Sequence, residues 1–167
     1  MFEDKKQKFT PISDLGEFGL IDRLTKNAKR SSETTTFGVG DDAAVIENSL
    51  EQSLISTDLL IEGVHFDLTY VPLKHLGYKA VTVNLSDICA MNALPTQVTV
   101  SVAVSNRFPV DALDEFYEGV HAACQVYGVD LVGGDTSSSK LGFMISVTAF
   151  GQADGKSIAY RNQAQDK

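Results

Sequence analysis

The alternation of apolar and polar positions is cleanest over residues 97–104, QVTVSVAV. Val98, Val100, Val102 and Val104 fall on one face, and Thr99, Ser101 and Ala103 on the other. A period of two predicts a strand with one covered face. SLISTDLLI (53–61), VDLVGG (129–134) and LGFMISVTAFG (141–151) read as further strands, and SIAY (157–160) as a last short one. FGVGDDAAVI (37–46) is a Gly-Asp turn running into a short apolar strand. The period lengthens elsewhere. Residues 73–93 read as a helix, with Pro72 near its start and Pro95 just beyond its end. A second helix runs from Asp111, the cap candidate, to Tyr127, with Gly128 placed to end it. Its expected buried stripe is Leu113, Phe116, Tyr117, Val120, Cys124 and Tyr127. Near the start, Asp14 and Glu17 are spaced as a capping box ahead of Phe18, Ile21 and Leu24. Residues 1–10 are a polar, Lys-rich tail, and Ser31–Thr36 a polar linker.

The resulting order is α β β α β α β β, with one strand pair separated by a helix of crossover length. That predicts an α+β domain, a mixed and mostly antiparallel sheet with helices packed on one face. The boundaries expected are a flexible tail over 1–10, a domain over 11–162, and the start of a linker over 163–167.

A length of 167 residues suits one domain with its own core. With 43% hydrophobic and 22% charged residues, the chain is neither disordered nor collagenous. No apolar run exceeds four residues, whereas a membrane helix needs about 20. The first residues, MFEDKK, carry no apolar signal segment. Two cysteines are too few for a disulfide framework, so a reducing, cytoplasmic setting is expected. The net charge of −8 argues against nucleic acid, whose affinity rests on cationic contacts to phosphates. A phosphorylated ligand would need the sign reversed locally, and a metal ion does that.

The placement of aspartates carries most of the chemistry. Asp41 and Asp42 sit in a Gly-Val-Gly-Asp-Asp turn. Asp58 lies inside an apolar strand, Asp87 inside an apolar helix, and Asp135 after Gly133-Gly134. An aspartate in a turn ordinarily caps backbone groups, but Asp58 and Asp87 occupy positions that disfavour Asp. Ala80, Val83, Asp87 and Met91 share one helix stripe, and Asn84 precedes Asp87 by three, so the carboxylate lies on or beside the packed face. Two carboxylates about 4 Å apart repel by about 4 kcal/mol at an effective dielectric near 20. A divalent cation removes that cost, and an oxygen-only donor set favours Mg²⁺, Mn²⁺ or Ca²⁺ over zinc.

Other chemistries find no support. There is no G-x-x-x-x-G-K-[ST] loop and no protein-kinase signature. Of the three histidines only His65, in EGVHF, is near the acidic motifs; His75 reads as surface and His121 as structural. Cys89 and Cys124, each in an apolar helix, read as small core residues.

FGVGDDAAVI, LISTDLLIEGVHF, YKAVTVNLSDICAMNALP and LVGGDT, in this order and spacing, resemble the thiamine-monophosphate kinase family. The resemblance runs from GEFGLI (16–21) to AYRN (159–162). The wider superfamily includes aminoimidazole ribonucleotide synthetase, selenophosphate synthetase and a hydrogenase maturation factor. The resemblance implies ATP-dependent phosphorylation of thiamine monophosphate to thiamine diphosphate, with more than one Mg²⁺. It matches Asp42, Asp58, Asp87 and Asp135 to Mg²⁺-binding aspartates, with Ser56 and Thr57 as extra oxygen ligands. Tyr117, Gly134, Asp135 and Arg161 match positions that contact ATP, and His65 one that contacts the substrate. Tyr117 also reads as a core aromatic, and Asp41 as a capping residue or one behind the ligands. No residue is implied as a general acid or base. The family's enzymes carry a second, C-terminal domain and dimerise through the first, so a homodimer is implied, with the Val98–Val104 strand as a candidate for the contact. The alternatives are a superfamily relative with another small-molecule acceptor, or a non-catalytic nucleotide-binding or dimerisation module.

Overall fold

The computed structural model describes Gly19 and residues 35–37, 40–48, 51–105, 108–153 and 158–164. The expected N-terminal tail, the first helix apart from Gly19, and residues 165–167 lie outside the described residues. Ser32–Lys167 is one compact unit and carries the whole of the sheet.

The elements in chain order are β1 (Thr35–Phe37), β2 (Ala44–Asn48), β3 (Glu51–Ile61), α1 (Leu73–Ala90), β4 (Leu94–Val104), α2 (Val110–Tyr127), β5 (Asp130–Ser138) and β6 (Met144–Ala153). A 3-10 turn at Arg161–Gln163 comes last. The strands form one sheet in the order β1-β2-β3-β6-β4-β5. Four neighbouring pairs are antiparallel and one, β4 with β5, is parallel. The fold class is the one expected.

Several boundaries differ for physical reasons. Thr35 and Thr36, expected in a linker, form β1 against β2. Pro95, expected only to stop the helix, lies inside β4 opposite Gly151; β5 pairs with β4 only from Gln97 onward, so proline's missing N–H leaves no partner unsatisfied there. Ile158–Tyr160 is not a strand. Pro109, rather than Asp111, is the N-terminal flanking residue of α2, and Asp111 falls in the first turn, where a negative charge suits the helix dipole. Gly128 ends α2 in the left-handed conformation (φ 65°), as expected.

Both α1 and α2 are crossovers. α2 links the adjacent parallel strands β4 and β5. α1 links β3 to β4, which flank β6 and both run antiparallel to it, a crossover that bridges one strand. Right-handed crossovers place both helices on one side of the sheet. The alternation then decides which side chains they cover. Leu54, Leu60, Val98, Val100, Val102, Ile145, Val147 and Ala149 are buried beneath the helices. Thr57, Thr99 and Thr148 share a rung of the opposite face. At one end Phe143 packs against Phe116, Phe108 and Phe66, with ring centroids 5.2, 5.4 and 6.2 Å apart.

The helices cross at two glycines. A Cβ on Gly77 would lie 2.0 Å from the Phe116 carbonyl oxygen, and one on Gly119 1.8 Å from that of Lys74. Both obstacles are backbone, so a methyl group at either site forces the helices apart. Gly77→Ala or Gly119→Ala is therefore expected to cost about 1–3 kcal/mol or more by overpacking, even after a gain of up to ~1 kcal/mol in helix propensity. Chemical denaturation midpoints check this; unchanged midpoints would mean the helices can separate freely.

Candidate metal and phosphate site

Asp58 and Asp87 come together through the covered face of the sheet. Asp58 shares a rung with Val147, whose side chain is buried under α1, so it points to the helix side. Two residues earlier, Ser56 points the same way and is 7% exposed. Its Oγ donates to Asp87 Oδ2 at 2.9 Å. The buried Asn84, one turn before Asp87, accepts the Asp58 backbone N–H at its Oδ1 (3.1 Å) and donates from Nδ2 to the Ala80 carbonyl (2.9 Å). One side chain of α1 thus pins the strand that carries Asp58.

Electrostatics marks the pair as incomplete. Burial pushes the Asp87 carboxyl above the ordinary aspartate value; the Ser56 hydrogen bond partly offsets this, and the Asp58 charge adds to it. Asp58, Asp87 and Ser56 present oxygens only, two of them carboxylates. That donor set fits Mg²⁺, which binds through one or two carboxylates and fills its shell with water and phosphate oxygens. Among the described residues, no three His, Cys, Asp or Glu side chains lie close enough to hold a metal without such help.

The expected ligands do not all converge. Thr57 is exposed on the opposite face, where its Oγ1 donates to the Val147 carbonyl (3.1 Å) and lies 3.0 Å from Thr148 Oγ1. Its hydroxyl is thus separated from Asp58 and Asp87 by the sheet. Asp135 is inside β5, on a rung with Ser101, rather than at a strand end. Three inter-strand spacings separate β5 from β3, roughly 14 Å at ~4.8 Å each, beyond the inner shell of one ion. Asp42 lies with Arg161, its Oδ1 paired with the guanidinium. Asp41 acts as a cap: Oδ1 accepts the Asp42 N–H (2.8 Å) and Oδ2 the Arg161 N–H (2.7 Å).

Three concave regions result. A cleft of about 880 Å³ is lined by Asp41, Asp42, Cys89, Asn92, Tyr160 and Arg161, among others. A pocket of about 540 Å³ joins Tyr117 to Leu131–Thr136, bringing three of the expected ATP contacts together. Gly134 is required there, since a Cβ would lie 1.8 Å from the Val100 carbonyl oxygen. Tyr117 is half-buried, and burial raises its phenol above the usual value. The third pocket, about 250 Å³, holds Asp58, His65, Lys79 and Val83. Motif reading does not single out Lys79 or Asn84, whose side chains bond the His65 carbonyl and the Asp58 N–H. Lys79 projects from an otherwise apolar stretch of α1, and that is the one signal the sequence offers for it. Cys89, expected in the core, is exposed, whereas Cys124 is buried as expected. His121 is exposed and lies 6.2 Å, ring to ring, from Tyr117.

The family model for the N-terminal domain of AIR synthase related protein matches residues 40–153. The thiamine-monophosphate kinase of Aquifex aeolicus is 38% identical over 144 residues, covering 86% of this chain and 44% of that protein. That of Bacillus subtilis is 34% identical over 152 residues, covering 90% and 46%. A solved structure described as AaThiL complexed with AMPPCP and TMP superimposes with a TM-score of 0.82 at 35% identity, covering 95% of this chain and 48% of that one. A hydrogenase maturation protein, HypE, at 20% identity and a TM-score of 0.60, shares the fold over 86% of this chain and 43% of its own. The chain spans about half the length of the relatives it matches.

The raised Asp87 carboxyl has a consequence for stability. Folded Asp87 holds its proton to higher pH than the unfolded residue, whose ordinary value is 3.8. As pH rises from 3.8 through the folded value, the native state binds more protons than the unfolded one, so stability falls. Asp87→Asn removes that loss while leaving an oxygen to accept from Ser56. The variant is expected to be at least as stable as the parent at neutral pH without metal, with a flatter pH profile. Urea midpoints across pH 3.5–8 check this; a large loss of stability would make Asp87 a structural residue.

Proposed function

This chain belongs to the AIR synthase related proteins as their N-terminal domain, and from that membership we propose that it forms the Mg²⁺- and ATP-handling half of an enzyme converting thiamine monophosphate to thiamine diphosphate. The observation that carries the proposal is the Asp58–Asp87 pair, seated over Ser56 and adjoining a pocket with His65 and Lys79. Support for the substrate comes from the kinases that match at 33–38% identity, and from the AMPPCP and TMP bound in the superimposable structure.

The acceptor is itself a phosphate monoester, with a second pKa of about 6, and is a dianion at neutral pH. No general base is then needed, which agrees with a site rich in aspartate. The difficulty is to bring two polyanions together. Mg²⁺, when bound, offsets their charge and aligns donor and acceptor for in-line transfer. The chain's own groups prepare for it. Asp58 and Asp87 would hold the ion, Ser56 Oγ orients the Asp87 carboxylate, and Asn84 fixes the strand beneath Asp58. Tyr117, Gly134 and Asp135 form the ATP side, and Asp42 and Arg161, paired with each other, line the larger cleft. Thr57 can serve only through its main-chain oxygen, since its hydroxyl lies across the sheet. His65 faces the substrate.

The proposal extends to assembly and setting. Residues 11–162 form the first domain of a two-domain enzyme, and 163–167 lead toward the second. The homodimer would use the sheet face away from the helices, where Thr57, Thr99, Thr148, Ser101 and Ser146 stand beside the 53%-exposed Leu59. The valine face of β4, in contrast, is covered by the protein's own helices. Two unpaired cysteines suit the cytoplasm, and no described helix is long and apolar enough to cross a membrane.

The test is to incubate the protein carrying this chain with Mg²⁺-ATP and thiamine monophosphate and to measure thiamine diphosphate, with and without metal. Metal-dependent product is expected, with a loss of activity of at least about a hundredfold in Asp87→Asn, the scale of a lost transition-state charge contact. Mg²⁺ is expected to raise the melting temperature of the parent and not of the variant. The 167-residue chain alone should bind metal but turn over little. A folded, ATP-binding protein that makes no product would overturn the substrate.

A further inference from the structure

Met91, the residue that follows α1, lies one turn beyond Asp87 and is fully buried. A leucine would fill that space as well. The thioether does something a leucine cannot. The N–H of Ala43, a residue only 3% exposed, donates to Met91 Sδ at 3.1 Å. Sulfur is a weak acceptor, yet here it answers a buried backbone amide just ahead of β2. The Met91 carbonyl makes a second long-range bond, accepting the Ala159 N–H at 3.1 Å. The last carbonyls of a helix have no partner within it, so they are available to a donor from elsewhere in the fold. The chain then turns away at Asn92, which takes the left-handed conformation (φ 61°) and returns its N–H to the Cys89 carbonyl at 2.9 Å.

The two donors that reach Met91 come from opposite walls of the 880 Å³ cleft. Ala43 follows Asp42, and Ala159 precedes Arg161 by two residues. Asp42 and Arg161 are the ion pair of that cleft. Other contacts join the same two segments to each other. The Asp41 carboxylate accepts the Asp42 N–H at 2.8 Å and the Arg161 N–H at 2.7 Å. The Phe37 and Tyr160 rings pack with centroids 5.1 Å apart. These contacts hold the walls together, but they do not fix the walls relative to Asp87. Met91 does, because it bonds both walls from the end of the helix that carries Asp87.

We propose that Met91 is a positioning residue for nucleotide handling: its sulfur and its carbonyl set the Asp42 turn and the Arg161 segment against the end of α1, so that this pair meets Mg²⁺-ATP in register with Asp87. The inference rests on the reading of Asp42 and Arg161 as metal and nucleotide contacts. The two bonds can be separated. The carbonyl bond is independent of the side chain at 91, whereas the sulfur bond needs methionine. Met91→Leu keeps the apolar volume and strands the Ala43 amide without its acceptor. The Asp42 wall is then the one that loosens.

The experiment is amide hydrogen exchange on the protein carrying this chain, together with Mg²⁺-ATP titrations of the parent and of Met91→Leu. In the parent, the Ala43 and Ala159 amides are expected to be protected and to gain protection together when Mg²⁺-ATP is added. In Met91→Leu the Ala43 amide is expected to exchange on the order of tenfold faster relative to the amides of β6, the scale of one lost buried hydrogen bond. The Ala159 amide keeps its protection, and the dissociation constant for Mg²⁺-ATP rises by a similar factor. A merely structural methionine would lower the urea midpoint and leave the dissociation constant of the folded protein unchanged, and that result overturns the proposal. So does an Ala43 amide that exchanges as in the parent. Should Met91→Leu fail to fold, the parent decides the matter: Mg²⁺-ATP that protects Ala159 and leaves Ala43 unmoved overturns the coupling. A parent that binds no Mg²⁺-ATP, with Ala43 still dependent on Met91, would overturn the nucleotide reading instead and leave the clamp standing.

Discussion

Everything that gathers at Asp87 depends on how closely two helices approach. Gly77 and Gly119 let α1 and α2 meet backbone to backbone. Closeness matters because α1 must serve two surfaces at once. It covers the sheet with Leu76, Ala80, Val81 and Leu85, and along the same rod it delivers Lys79, Asn84 and Asp87 to the edge of β3. A helix displaced by one methyl group would still bury a core, but it would lift Asn84 away from the Asp58 backbone. The glycines thus act on the chemistry without touching it, through the position of a rigid body.

The pair of carboxylates is the reverse case, a local interaction that opposes the fold. Asp87 is held in a half-buried place where burial and the neighbouring Asp58 charge both make it harder to ionise. Ser56 answers one oxygen and Asn84 fixes the backbone. The Asp58 charge and burial remain opposed to ionisation of Asp87. Such a placement costs native stability that a well-solvated aspartate would not.

The elements were legible because their periods are clean, as in the valines of β4 and the Gly128 ending of α2. The strand order was not. Alternation tells which face of a strand is covered but not which strand lies beside it, and nothing in residues 144–153 announces that β6 sits between β3 and β4. Ser56 and Asp58 were legible as partners, and the same alternation places Thr57 on the far side, a consequence that motif matching overlooks. Asp135 looks like a loop residue because two glycines precede it, yet the backbone continues as strand through Ser138. Lys79 and Asn84 lie within a matched stretch, but no role is legible in either residue there. Their roles arise from what lies across from them, the His65 carbonyl and the Asp58 amide, and those are tertiary facts. Cys89 looks buried because its neighbours are apolar, but its side of the last turn of α1 is exposed.

The position of β6 also dictates the order in which the chain can assemble. Thr57 meets Thr148, 91 residues later, across the central ladder. β3 and β4 are joined in the sheet only through the last strand, which lies between them. Loop closure of that span must precede its reward in pairing, which makes for slow folding of the kind seen in non-local topologies. During synthesis the edges of β3 and β4 that face each other lack their ladder partner until β6, residues 144–153, has been made. A domain built this way closes late and all at once, and its partly made chain is the form most in need of protection from aggregation.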